Sequence, residues 1–108
     1  MTSQEALVHQ YALQRLAEVF RVPVESLSLD MRFGQELKAG PVSFLKANEF
    51  DVIDNDIKDV GSEQLLEEMA RGSLVIRTAG DYCDHMVRCN AGKPVDVAYL
   101  LHLPITSL

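Results

Sequence analysis

Phe44, Ala47, Phe50, Ile53, Ile57 and Val60 recur at steps of three or four residues, which lines them up along one side of an α-helix. A stripe of that length is stable only when other elements cover it, so this one segment commits the chain to a fold in which helices pack on helices. The intervening positions hold Glu49, Asp51, Asp54, Asp56 and Asp59, which are expected on the outer faces. Gly61 closes the run. Ser43 stands at its start, just after Gly40 and Pro41, where a serine can cap the helix, fill a turn or carry a modification.

Other helices announce themselves by their ends. Thr2 and Glu5 have capping-box spacing, and Leu13, Leu16, Ala17 and Phe20 follow as an apolar stripe that Val22-Pro23 terminates. Ser62 can cap a helix over "EQLLEEMAR", with Gly72 as its left-handed stop. Thr78 can cap another, from Ala79 to about Arg88, with Tyr82, Cys83 and Met86 turned inward; Asn90, Gly92 and Pro94 then read as a break. Between the first helix and Gly40 neither period persists, and Leu27, Leu29, Phe33 and Leu37 are isolated apolar anchors in a long loop. Only "SLVIR", residues 73–77, has the character of a strand. The period count therefore predicts an all-α bundle.

Charge narrows the partners. Between Asn48 and Glu68 eight carboxylates (Glu49, Asp51, Asp54, Asp56, Asp59, Glu63, Glu67 and Glu68) face a single base, Lys58, in a chain of net charge −6. Such a surface repels phosphate backbones, which argues against nucleic acid, and suits a basic patch on another protein. The longest uncharged apolar stretch, "VAYLLHLPI", is well short of the ~20 residues that span a bilayer. The start, "MTSQEALVHQ", lacks the basic and apolar regions of a signal peptide, so the cytoplasm is the expected compartment. Cys83 and Cys89 sit ~9 Å apart along a helix axis, too far for a disulfide within it, and are expected as free thiols.

Two stretches, in this order of elements, carry a likeness. "VESLSLDMRFGQEL", residues 24–37, and "TAGDYCDHM", residues 78–86, resemble the loop and the last helix of the acyl carrier protein family, and the similarity runs from about Leu7 to Met86. The resemblance implies an acyl-carrier-like four-helix bundle with a long loop after the first helix, a lengthened third helix and a C-terminal extension. It divides the chain into a bundle over residues 1–90 and an apolar tail over 91–108, expected to dock on the bundle. It further implies that Ser43 receives 4′-phosphopantetheine from coenzyme A through a dedicated transferase. Free N–H groups and the helix dipole would then face the phosphodiester. Partner enzymes that handle acyl groups would bring basic surfaces to Glu49, Asp51, Asp54, Asp56, Glu63 and Glu67, and the chain, a monomer, would not itself be a catalyst.

The likeness has departures. Where the family has Asp-Ser-Leu this chain has Val42-Ser43-Phe44, and a second register sets "ANEFD", residues 47–51, on the motif and Glu49 in place of the serine. That leaves an alternative function, an interaction or regulatory module without a prosthetic group. Asp81, His85 and Cys89 share one helix face at i, i+4 and i+8, a spacing that could hold a soft metal but is looser than the paired ligands of zinc sites. No phosphate-binding glycine loop, nucleophile elbow or HExxH motif is present.

Overall fold

In the computed structural model, which describes residues 3–37 and 49–104, the helical periods become five α-helices and a single 3-10 turn. These are α1 (Ser3–Phe20), the turn Val24–Ser26, α2 (Glu49–Val60), α3 (Glu63–Ala70), α4 (Ala79–Gly92) and α5 (Pro94–Leu101). Among the described residues there is no strand. "SLVIR" forms no strand, and the bridge next to it joins Thr78 to Arg32. The Cα radius of gyration is 13.6 Å, against ~13 Å for a compact chain of 100 residues.

α4 is the hub. It packs most extensively against α1 and also against α5 and α2, and its Tyr82, Cys83 and Met86 are fully enclosed. α1 meets it through Val8, Ala12 and Leu16, at steps of four, with alanine in the middle where the helices approach. The stripe expected on α1 is therefore rotated. Leu16 and Ala17 are buried as expected, but Leu13 and Phe20 lie at its border, where Phe20 stacks on Phe33 (centroids 5.9 Å apart) and meets Phe50 at 6.2 Å. Burying a side chain such as Leu16 contributes ~1.5–3 kcal/mol.

The long loop is held by what it does for α4. The first N–H groups of a helix lack partners within it. Here Ala79 donates to the Met31 carbonyl (2.9 Å), Gly80 to that of Leu29 (2.7 Å), and Asp81 to Thr78 Oγ1 (3.0 Å). The Asp81 carboxylate returns a bond to the Thr78 N–H, completing the capping box that the sequence predicts only as a threonine cap. Phe33 N–H donates to the Arg77 carbonyl at 2.9 Å, so residues 29–33 run antiparallel to 77–80. Gly80 is required here: a Cβ would stand 2.9 Å from the Leu29 oxygen. Leu37 is buried, Leu27, Met31 and Phe33 pack against the core, and Leu29 alone of the four expected anchors is largely exposed.

α3 is eight residues long, with Ser62 Oγ accepting from Leu65 N–H as its cap. α4 continues four residues past Arg88, through Asn90 to Gly92, and Pro94 then opens α5 at the position where its missing N–H is harmless. α5 packs on the other helices, with Val97, Ala98, Leu101 and, just after it, Leu103 buried. The Thr2 cap and the segment from Gly40 to Asn48 lie outside the described residues.

Three helices end the same way. Val22 N–H reaches back to Ala17 O (3.0 Å), Ser73 N–H to Glu68 O (2.9 Å) and Leu103 N–H to Ala98 O (2.9 Å), each across a left-handed residue: Arg21 (φ 57°), Gly72 (φ 78°) and His102 (φ 58°). Only the second is glycine. A left-handed non-glycine residue costs ~1–2 kcal/mol, and glycine's extra freedom in the unfolded chain offsets part of the gain on replacing it. Arg21→Gly is therefore expected to stabilise by ~0.5–1 kcal/mol and Gly72→Ala to destabilise by ~1 kcal/mol, read as opposite shifts of the urea midpoint.

Candidate functional site

The outward side of α2 and α3 is where the sequence expects contacts. Asp51, Asp54 and Asp59 are exposed, as are Glu63 and Glu67 on α3, and Glu49 is half-buried at the first turn of α2. Asp54 is paired with Lys58 one turn on, at 2.8 Å and on the exposed surface, a contact worth ~0.3–0.5 kcal/mol. Glu68 faces Arg88 of α4 at 3.3 Å.

Asp56 corrects the expectation. It is 3 % exposed and faces inward, where Arg15 of α1 grips both carboxylate oxygens, Nε at 2.9 Å and Nη2 at 3.1 Å. The Tyr82 hydroxyl of α4 donates to the same carboxylate at 3.0 Å. It cannot be a docking residue. The signal was present in the sequence: Asp56 falls three residues after Ile53 and four before Val60, on the apolar stripe itself. Burial, with Asp56 alongside, pushes the Tyr82 phenol well above its ordinary range, and the bond to Asp56 raises the Arg15 guanidinium further.

Beside α2 is an apolar cavity of about 160 Å³ lined by Phe33, Phe50, Ile53, Ile57 and Ile76, with Asp54 at its edge. Phe50, expected in the core, is half-buried in its wall. The loop–α4 pairing supplies Phe33 and Ile76 to this cavity; α2 supplies the rest. Ser43 precedes Glu49 by six positions in the chain and lies outside the described residues.

The Asp81, His85 and Cys89 face is used structurally. Asp81 caps α4, while His85, 4 % exposed, puts Nε2 2.9 Å from the Ile57 carbonyl and 3.4 Å from Cys89 Sγ. A carbonyl only accepts, so Nε2 carries the proton of a neutral ring. Cys83 and Cys89 are free and buried, and burial raises both thiols, to about 12 and about 11. Neither is poised as a nucleophile. No group of three or more metal-ligating side chains gathers among the described residues.

Comparison with protein-family models, curated proteins and solved structures finds no match to this chain. Among the described residues no helix is long and apolar enough to cross a membrane.

Two outcomes test the buried groups. Asp56→Ala strands the Arg15 charge and is expected to cost ~3–5 kcal/mol in urea unfolding, whereas Tyr82→Phe removes one hydrogen bond for ~1–2 kcal/mol. Burial lowers the His85 pKa, so below about pH 6.5 the unfolded chain takes up a proton that the fold resists. Stability is accordingly full above that pH and falls as pH drops through the window between the unfolded and the lowered folded values. His85→Gln is expected to flatten this part of the pH profile.

Proposed function

We propose that the chain is a non-catalytic carrier of the acyl-carrier kind, which holds an acyl group as a thioester on a 4′-phosphopantetheine arm at Ser43. The arm, when bound, supplies the thiol; everything else is the work of this chain's own residues. The observation that carries the reading is the division of α2. Ile53, Ile57 and Val60 turn into the core, while Asp51 and Asp54 stay exposed beside an apolar cavity. A helix of this kind offers a charged face to a partner and an apolar recess next to it. The residues present are compatible with the group: the cavity wall of Phe50, Ile53 and Ile57 suits an apolar cargo, and the carboxylate of Asp54, which also lines it, is exposed and paired with Lys58.

In this reading the partners are a phosphopantetheinyl transferase and acyl-handling enzymes with basic docking surfaces. Asp51, Asp54, Glu63 and Glu67 steer them, with Glu49 at the edge of the face. Long-range attraction between such surfaces raises the association rate and weakens with salt. The chain acts as a monomer in the cytoplasm.

The full chain incubated with coenzyme A and a broad-specificity transferase is expected to gain the mass of one phosphopantetheine arm in intact mass spectrometry, and Ser43→Ala is expected not to. Wild-type chain that stays unmodified with several transferases removes the carrier reading in favour of an interaction module that works without the group. Val42 in place of the family's acid before the serine is the sequence feature that favours this second reading.

A further inference from the structure

α5 is apolar almost all the way round, with Asp96 its only charged side chain. Helices of that composition have neighbours on every side. Among the described residues this one has them on one side: Val97, Ala98 and Leu101 are buried, yet Val95 is 67 % exposed and Tyr99 86 %. Next to these two lies a groove of about 690 Å³, far larger than the cavity beside Phe50. Val60, Ala98 and Leu103 are among its apolar lining, and Tyr99 and Leu100 stand in its wall.

Among the described residues the groove is lined by two carboxylates, Asp59 from α2 and Asp96 from α5, and by His102. Arg15 also reaches it, with both Nε and Nη2 engaged by Asp56.

We propose that this groove is a second docking site, one that takes an amphipathic segment of a partner protein. Apolar side chains of that segment seat against Tyr99, Val95 and Leu100, and a Lys or Arg faces Asp59 and Asp96. Charge selects this occupant over the others. A second copy would bring a further net charge of −6 to a groove already lined by two carboxylates. Nucleic acid and anionic lipid are repelled by the same carboxylates. A tyrosine flanked by aliphatic side chains over an apolar floor is the composition of an interface centre, and acids at the edge make the polar rim. The proposal does not depend on whether Ser43 is modified.

A phage-displayed library of random linear peptides, selected on the full chain and depleted on Tyr99→Ala, tests this. Tyr99 is solvent-exposed, so the variant is expected to melt as the wild type does; Val95→Lys serves as a second depletion target. Surviving peptides are expected to carry apolar residues at helical spacing flanked by Lys or Arg. A synthetic copy of the leading peptide should shift amide resonances of α5 and of Asp59 and Val60. Tyr99→Ala should weaken it at least about tenfold, and Asp59→Asn with Asp96→Asn should weaken it and flatten its salt dependence. The proposal is overturned if no sequence survives depletion, if survivors are acidic, or if the shifts fall on Asp51, Asp54, Glu63 and Glu67 instead. It is equally overturned if the full chain is a dimer that Tyr99→Ala dissolves, which assigns the groove to a second copy. A chain ending at Pro104 that binds the peptide about tenfold more tightly would assign it to this chain's own last residues.

Discussion

A carboxylate buried between three helices has to be answered from each of them. Asp56 sits on the inward stripe of α2, and its two oxygens are taken by Arg15 from α1 and Tyr82 from α4. Apolar packing alone tolerates small sliding of one helix on another, because "hydrophobic and about the right size" is a loose specification. A bidentate guanidinium and a phenol aimed at the same carboxylate are not loose, since a shift of one turn would leave a charge unpaired in the core. Replacing all three by apolar residues of similar volume would preserve much of the stability and lose the geometric restriction. The cluster is best understood as what sets the rotation and height of α2 against α1 and α4, and therefore which acids of α2 remain outside.

The second determinant is the way the loop after α1 spends its carbonyls on the start of α4. Leu29 and Met31 accept from Gly80 and Ala79, and this pairing carries Phe33 into contact with Phe20 and into the cavity wall beside Phe50. The recess beside the acidic helix thus depends on contacts between segments some fifty residues apart in the chain. Such contacts close late in folding, because the entropy of closing the intervening loop must be overcome first. A substitution at Gly80, which does not itself line the recess, would disturb its shape by displacing the Leu29 carbonyl.

Local chemistry was legible in the sequence and long-range choice was not. Ser62 and Thr78 cap the helices they precede because a side-chain oxygen and an N–H three residues on are enough to define the motif. Gly72 stops α3 for an equally local reason. By contrast, the rotation of α1 depends on which side α4 approaches, and so Leu13 and Phe20 ended at the border of the buried stripe. Asn90 and Gly92 disfavour a helix by ~1 kcal/mol or less each, too little to end α4 while Cys89 and α5 pack around it. Asp56 was the instructive miss: charge suggested the surface, but its phase with Ile53 and Val60 placed it inside. For α5 the excess of apolar residues was evident from the sequence, and only the packing determines that Val95 and Tyr99 are the ones left uncovered.

The Tyr82 phenol also makes the protein its own optical gauge. The chain has three tyrosines and no tryptophan, and the three occupy contrasting surroundings: Tyr99 in solvent, Tyr11 half-buried on α1, Tyr82 sealed against Asp56. Phenolate absorbs at longer wavelength than phenol, and Tyr82 resists ionisation because burial and a neighbouring carboxylate both disfavour a second negative charge. In an alkaline titration its absorbance change is tied to the separation of α1, α2 and α4 rather than to the proton alone. The helix junction on which the fold turns can in this way be watched opening without a label.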